Sequence, residues 1–333
     1  MQTLIKNTRA YQLLKAEAAK NRLSHAYLLL LDDSRNLRAA LKLFAKVLLG
    51  CDEEKTENEK RLSSRIDSET FTDCLFFPEP DKKFVVEDAE RVSEACMLQP
   101  MECDKKIIVI SDFADANVAS QNKLLKLLEE PPQGVVFLLG ATTSFPLLQT
   151  VLSRVAKLEI PPFQTEEILS FLRRTYEHGT FLETDFALCA AACGGSVGAA
   201  QNTLEGGEYK ALIEDAFSLC LAPKDKLPTL IRRLGETKQK KTLLFLLRVL
   251  FRDALLLKTQ TATSKTLLLQ SEQARLKQIA DKFTCAALLY AQDELSKAEQ
   301  QTFFNAVFAQ CLEVLMAKIH KNNAESAKIA SAR

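Results

Sequence analysis

Apolar positions in this chain follow two different periods. Ile107, Ile108, Val109 and Ile110 form a short run bounded by charge, the pattern of a strand buried on both faces of a parallel sheet. Asp112-Phe113-Ala114-Asp115 follows as an acidic turn, and then Leu124, Leu125 and Leu128 recur on one helical face. Asn117 suits the N-cap of that helix, and Pro131 ends it, because a residue before proline is pushed out of the helical region. Leu28 to Leu31 and Val135 to Ala141 repeat the buried-strand pattern, and Ala156 to Ile160 alternates as a closing strand. Leu75-Phe76-Phe77 and Phe84-Val85-Val86 read as short strands or extended pieces. Helical spacing runs through residues 4 to 22 and through Glu87 to Leu98, where Ala89, Val92 and Cys96 share a face. Strands alternating with helices predict an α/β domain around a parallel sheet.

After Pro161-Pro162 the pattern changes, and the paired prolines mark a domain boundary. A small helical unit is expected from Thr165 to Ala200, and Gly206-Gly207 opens a last domain. There Leu243 to Leu257 is apolar at helical spacing, as are Phe304, Phe308, Cys311 and Leu315 with Leu312 and Ile319 beside them. The expected division is 1–162 α/β, 163–206 small and helical, 207–320 all helical, and a flexible tail at 321–333, where apolar residues are few.

Charge adds mainly exclusions. Lysine plus arginine number 44 against 43 acids, so no overall field draws the chain to nucleic acid or anionic membrane. Lys238-Gln239-Lys240-Lys241 reads as a solvated loop or helix start rather than a phosphate contact. The nine cysteines are scattered, and the opening M-Q-T-L-I-K-N lacks an apolar segment of the signal-peptide kind. Both predict free thiols and a cytoplasmic location. No apolar stretch approaches the roughly 20 residues a membrane span needs.

The residues after Leu31 bear on chemistry. A phosphate-binding loop needs G-x-x-x-x-G-K-S/T, since glycines let backbone N–H groups surround phosphate and the lysine offsets its charge. Here the run is Asp32-Asp33-Ser34-Arg35-Asn36-Leu37-Arg38, with no glycine before Gly50 and no lysine before Lys42. Nucleotide binding is not expected there, and no cofactor is implied. The charged segment 51–74 offers only Cys51 and Cys74, too few for a tetrahedral zinc site, and predicts a surface loop or short charged helix without metal. His25 lacks a partner at a recognisable spacing and reads as structural. Cys189 and Cys193, set among alanines, read as small core residues.

Three segments carry a resemblance. N-K-L-L-K-L-L-E-E-P-P, ending at Pro132, resembles the N-A-L-L-K-x-L-E-E-P-P signature of bacterial clamp-loader subunits, proteins that open a ring-shaped sliding clamp and place it on primed DNA. R-L-S-H-A-Y-L-L-L, from Arg22, resembles the strand that in active relatives leads into the phosphate loop. P-L-L-Q-T-V-L-S-R-V, residues 146 to 155, resembles L-L-P-T-I-x-S-R-C, whose arginine projects into the ATP site of a neighbouring subunit; Val155 replaces the cysteine and Gln149 the proline. The resemblance implies an AAA+ (P-loop NTPase-like) α/β domain, a helical lid and an all-α collar. With its degenerate loop the chain resembles the delta-prime class of that family. That class implies no independent catalysis, although the chain would be part of a DNA-directed DNA polymerase (nucleotidyltransferase) holoenzyme. Arg154, beside Ser153, would be lent in trans. The implied partners are tau/gamma ATPase subunits and delta in a hetero-pentamer, with the sliding clamp and primer-template DNA reached through the complex. Two alternatives stay open: an active ATPase subunit of the same fold, and a DNA-binding repair or regulatory module.

Overall fold

The computed structural model describes residues 1–179, 181–206, 208–223, 225–237, 239–259, 267–269, 272–303 and 306–331. Phe304 and Lys238, which the sequence singles out, lie outside them.

The chain divides into two compact units, the first made of residues 1–167 and 196–199, the second of 168–195 and 200–333. The first unit is a parallel sheet with helices. Two short helices, α1 (Gln2–Lys6) and α2 (Arg9–Ala19), replace the single one expected over 4–22. They part at Thr8, whose hydroxyl accepts from the Tyr11 N–H and so starts a new helix. Strand β1 (Ala26–Leu31) leads to α3 (Ser34–Leu48), then α4 (Glu57–Asp67) and β2 (Cys74–Phe77). Helix α4 is the charged helix expected in the 51–74 segment, capped by Thr56. Phe84 and Val85 form no strand; Val85 is the extended N-cap of α5 (Val86–Cys96). Strand β3 (Lys106–Ile110), α6 (Val118–Glu129), β4 (Val135–Ala141), α7 (Gln149–Leu152) and β5 (Ala156–Ile160) complete the unit.

The strand order is β2-β3-β4-β1-β5, all parallel. Tyr27 and its neighbours on β1 pair with Leu138 on β4 and Ala156 on β5, so β1 is flanked on both sides and its AYLLLL run is buried accordingly. From β1 the chain leaves toward β2, whereas from β4 it leaves toward β5. The carboxyl ends of these adjacent strands therefore form a topological switch point, where open α/β sheets place ligands. Helix α3 approaches the sheet closely: a Cβ on Gly140 would stand 2.6 Å from Leu41 Cδ1.

The second unit is helical: α8 (Thr165–Thr175, beginning within the first unit), α9 (Glu183–Ala192), α10 (Val197–Glu205), α11 (Glu208–Leu221), α12 (Leu227–Leu234), α13 (Lys240–Lys258), α14 (Gln273–Lys282), α15 (Cys285–Phe303) and α16 (Phe308–Ser331). Phe308, Cys311, Leu312, Leu315 and Ile319 are buried. Helix α16 runs past His320, where the sequence predicts a flexible tail. Asn323 supplies the reason: its side-chain oxygen accepts the Thr284 N–H at 2.7 Å and its amide donates to the Lys282 carbonyl at 3.0 Å, which ties the extension to the α14–α15 junction. Among the described residues, no helix is long and apolar enough to cross a membrane.

Candidate functional site

At the switch point, β1 ends in Leu31 and the chain turns through Asp32 and Asp33 into α3. Asp32 is exposed, whereas Asp33 is only 3% exposed. Asp33 is the N-cap of α3: its Oδ1 accepts the Asn36 N–H at 3.1 Å and its Oδ2 accepts from Asn36 Nδ2 at 2.9 Å. The same Oδ2 accepts the Gly198 N–H at 2.7 Å, in the first turn of α10. A helix N-terminus after β1 is a ready-made phosphate seat, with donors and a positive dipole end aimed outward. Here the donors already face a carboxylate from the chain itself.

Arg38, one turn into α3, makes a two-pronged contact with Glu69 at 2.7 and 2.6 Å and donates to the Pro78 carbonyl and to Ser111 Oγ. Lys42 Nζ lies 2.9 Å from Glu69 Oε1. Burial pushes the Glu69 carboxyl up, but the hydrogen bonds and charge of Arg38 and Lys42 outweigh it and hold the group below its ordinary value. Both cations of this helix face are thus committed to structure. Asp112, at the end of β3, takes a left-handed backbone (φ 50°). Burial, helped by the charge of Asp115, pushes its carboxyl up against the pull of Arg38. Sequence reasoning missed the Arg38–Glu69 tie, because its partners lie 31 positions apart and no motif marks them.

The second candidate locus is Ser153-Arg154. Helix α6 forms as expected: Asn117 Oδ1 accepts the Ser120 N–H at 2.8 Å, Leu124 and Leu128 are buried, and the helix stops at Glu129, before the prolines. Gln121, 1% exposed, joins it to the next segment. Its amide donates to the carbonyls of Ala116 (3.0 Å) and Pro146 (3.3 Å), while its oxygen accepts the Leu148 N–H (2.9 Å). Leu148 caps α7, and α7 ends at Ser153. Arg154, with 32% of its side chain exposed, donates from Nη1 to the Thr150 carbonyl at 2.7 Å and to Ser153 Oγ at 3.1 Å; its Nη2 is ion-paired with Glu129 Oε1 at 2.6 Å. The guanidinium is held on its own chain, yet remains at the surface.

The other sequence candidates resolve as follows. His25 is exposed, and its backbone carbonyl accepts the Phe137 N–H at 2.9 Å in the sheet. Cys189 is buried, and Cys193 Sγ lies 3.1 Å from the Ala190 carbonyl as its donor. Cys51 and Cys74 are both buried, and burial pushes the Cys51 thiol up to about 12 and that of Cys74 higher still. Among the described residues, no group of three or more His, Cys, Asp or Glu side chains is gathered to hold a metal. Lys240 and Lys241 of the basic run begin α13.

A five-stranded parallel sheet with its helices, a helix N-terminus after β1 at the switch point and a helical remainder make up the described residues. Residues 6–164 match the family model described as "DNA polymerase III, delta subunit". The chain is 31% identical over 167 residues to DNA polymerase III subunit delta' of Bacillus subtilis, covering 48% of this chain and 49% of the relative. It is 22% identical over 334 residues to the tau subunit of the same organism, covering 92% of this chain and 59% of the relative. The chain thus spans little more than half the length of that subunit. A solved gamma subunit-related protein from Thermotoga maritima aligns at 14% identity and a TM-score of 0.41, over 93% of this chain and 99% of that one. Residues 6–164 are thus similar to subunits of DNA polymerase III, and the similarity to the tau subunit extends along most of the chain.

Proposed function

We propose that the chain is a clamp-loader subunit of the delta-prime kind, one that hydrolyses no ATP itself and lends Arg154 to the ATP site of a neighbouring tau/gamma-type subunit. The observation that carries this reading is the seat of Asp33. Its carboxylate holds the first-turn N–H of α3 and the Gly198 N–H, the donors a phosphate would need. A phosphate approaching it meets repulsion of about 4 kcal/mol for unit charges about 4 Å apart at an effective dielectric of about 20, and no lysine stands at the loop to offset it.

What such a subunit can contribute is a fixed positive charge. A guanidinium stays ionised and its planar fork meets phosphate oxygens in two places, which lysine cannot match. In this reading the chain divides functionally into 1–162, 163–206 and 207–320, and the last part joins a cytoplasmic hetero-pentamer with tau/gamma and delta. Contact with the sliding clamp and primer-template DNA comes through the complex, as part of the polymerase holoenzyme. Isothermal calorimetry with ATP and magnesium tests the first half: no binding at micromolar ATP is expected, and specific binding would return the chain to the active ATPases. Arg154→Ala in the assembled complex tests the second. Loss of one finger should lower DNA- and clamp-stimulated hydrolysis by less than the roughly 10³ to 10⁵ a single-site arginine contributes, since other sites keep theirs.

A further inference from the structure

We infer that Glu129 is the positioning residue for Arg154, setting where its guanidinium stands when a neighbour's phosphate arrives. The inference rests on the reading of Arg154 as an arginine given in trans. Three observations bring it out. Glu129 Oε1 lies 2.6 Å from Arg154 Nη2, and this is the one side-chain charge paired with the guanidinium among the described residues. The other two contacts, Thr150 O and Ser153 Oγ, are local to the turn that carries Arg154, so only Glu129 references the arginine to α6. And α6 is itself tied to the segment leading into α7 by two hydrogen bonds of Gln121, to the Pro146 carbonyl and from the Leu148 N–H, which makes Glu129 a fixed post.

Glu129 is also misplaced by local rules. It is the last residue of α6, where a carboxylate faces the negative end of the helix dipole and costs the helix about 0.3–1 kcal/mol. Nothing in the packing asks for it, since 46% of its side chain is exposed. A residue that breaks a local preference without serving the core is expected where function sets the choice. The pairing leaves the Nε edge of Arg154 without a partner among the described residues, so a phosphate oxygen has a donor to meet while the far side of the fork stays on Glu129. A flexible arm of three methylene groups is thereby delivered in one orientation, and orientation is what an in-trans charge contributes.

The test uses the assembled complex with wild-type ATPase partners and compares Arg154→Ala, Glu129→Ala and the double variant in steady-state ATP hydrolysis. Glu129→Ala should lower kcat about three- to tenfold, the size expected of sub-ångström misplacement rather than removal, with KM for ATP unchanged. The double variant should be no slower than Arg154→Ala alone, and Glu129→Gln, which keeps an acceptor at the same reach, should recover part of the loss. Because Glu129 is exposed at a helix end, thermal stability and gel-filtration profile should stay at the wild-type values; should alanine weaken assembly, Glu129→Gln carries the same comparison. If Arg154→Ala slows hydrolysis while Glu129→Ala equals or exceeds wild type, the positioning role is overturned and the in-trans arginine stands. If Arg154→Ala itself changes nothing, both fall together.

Discussion

Asp33 and Gly198 are 165 positions apart, and the Gly198 N–H donates to Asp33 Oδ2 at 2.7 Å in a buried contact. One carboxylate therefore serves the starts of two helices, α3 and α10. The fit leaves no room: a Cβ on Gly198 would stand 2.1 Å from Asp33 Oδ1 and 2.8 Å from Arg35 Cβ. Gly198→Ala should thus destabilise the chain by about 1–3 kcal/mol, the usual cost of overpacking a filled site. Trimming the carboxylate in the same molecule, as Asp33→Ala/Gly198→Ala, should cost less than the sum of the single changes, because neighbours in contact are not additive. Urea unfolding of the four proteins checks this; strictly additive losses would mean that the two residues do not meet in solution.

Gln121 makes a separate prediction. Gln121→Leu has nearly the same volume but leaves the Pro146 and Ala116 carbonyls and the Leu148 N–H without their side-chain partner, and each buried unsatisfied group costs about 1–3 kcal/mol. We expect a stability loss of about 2–4 kcal/mol, below the sum because water reaches the exposed Pro146. The complex should also lose ATPase activity although Arg154 is intact, since Gln121 fixes the segment from which α7 and Arg154 follow. A variant stable to within a few tenths of a kcal/mol would show the three bonds to be replaceable.

The periodic parts of the first unit were legible because they depend on near neighbours. The Ile107–Ile110 run, the Asn117 cap and the proline stop needed only strand burial, one side-chain oxygen and one steric rule, and β3 and α6 appear where those rules place them. The break at Thr8 and the start of α5 at Val86 turn on caps of one residue, too local to shift an apolar count. What escaped the sequence is long-range pairing of polar groups. Asp33 with Gly198, Arg38 with Glu69 and Asn323 with Thr284 each join residues without periodic or motif relation. The same holds at the candidate site: Ser153-Arg154 was visible through a resemblance, whereas Glu129, inside the very signature that drew attention, gave no sign of being the arginine's ion-pair partner.

Cysteine reactivity follows from burial. Desolvation pushes the thiols of Cys51, Cys189 and Cys220 up to about 12 and that of Cys96 up to about 11. A thiolate is the reactive form, so these four should be inert to a maleimide or disulfide reagent near pH 8 in the native chain. Cys285 is exposed at the start of α15 and should label first, followed by the half-buried Cys103 and Cys193. Mass spectrometry after timed labelling reads the order. Early modification of Cys51 would mean that the 51–74 segment opens readily, and metal analysis of the same sample checks the expectation that no zinc is held there.

The pH dependence of the helical unit should carry the mark of Asp253. This residue of α13 is fully buried; its Oδ2 accepts the N–H groups of Leu268 and Leu269 at 2.9 and 3.1 Å, and Arg252 Nε lies 3.3 Å from Oδ1. Burial raises the carboxyl, the two amide bonds and Arg252 pull it back, and burial prevails. A carboxyl raised in the folded state binds its proton there over a range where the unfolded chain has already lost it. Its contribution to stability is therefore present in full below the ordinary carboxylate pKa of about 4 and is lost as pH rises through the raised folded value. Asp253→Asn keeps an oxygen for both amide donors without ever carrying the charge, and the exposed part of Arg252 can turn to solvent. The variant should match wild type near about pH 4, then gain on it as pH rises toward neutrality, which urea midpoints measured across that range would show. If wild type instead gained on Asp253→Asn with rising pH, the ionised carboxylate would be stabilising, and the two N–H donors with Arg252 would outweigh the desolvation of Asp253.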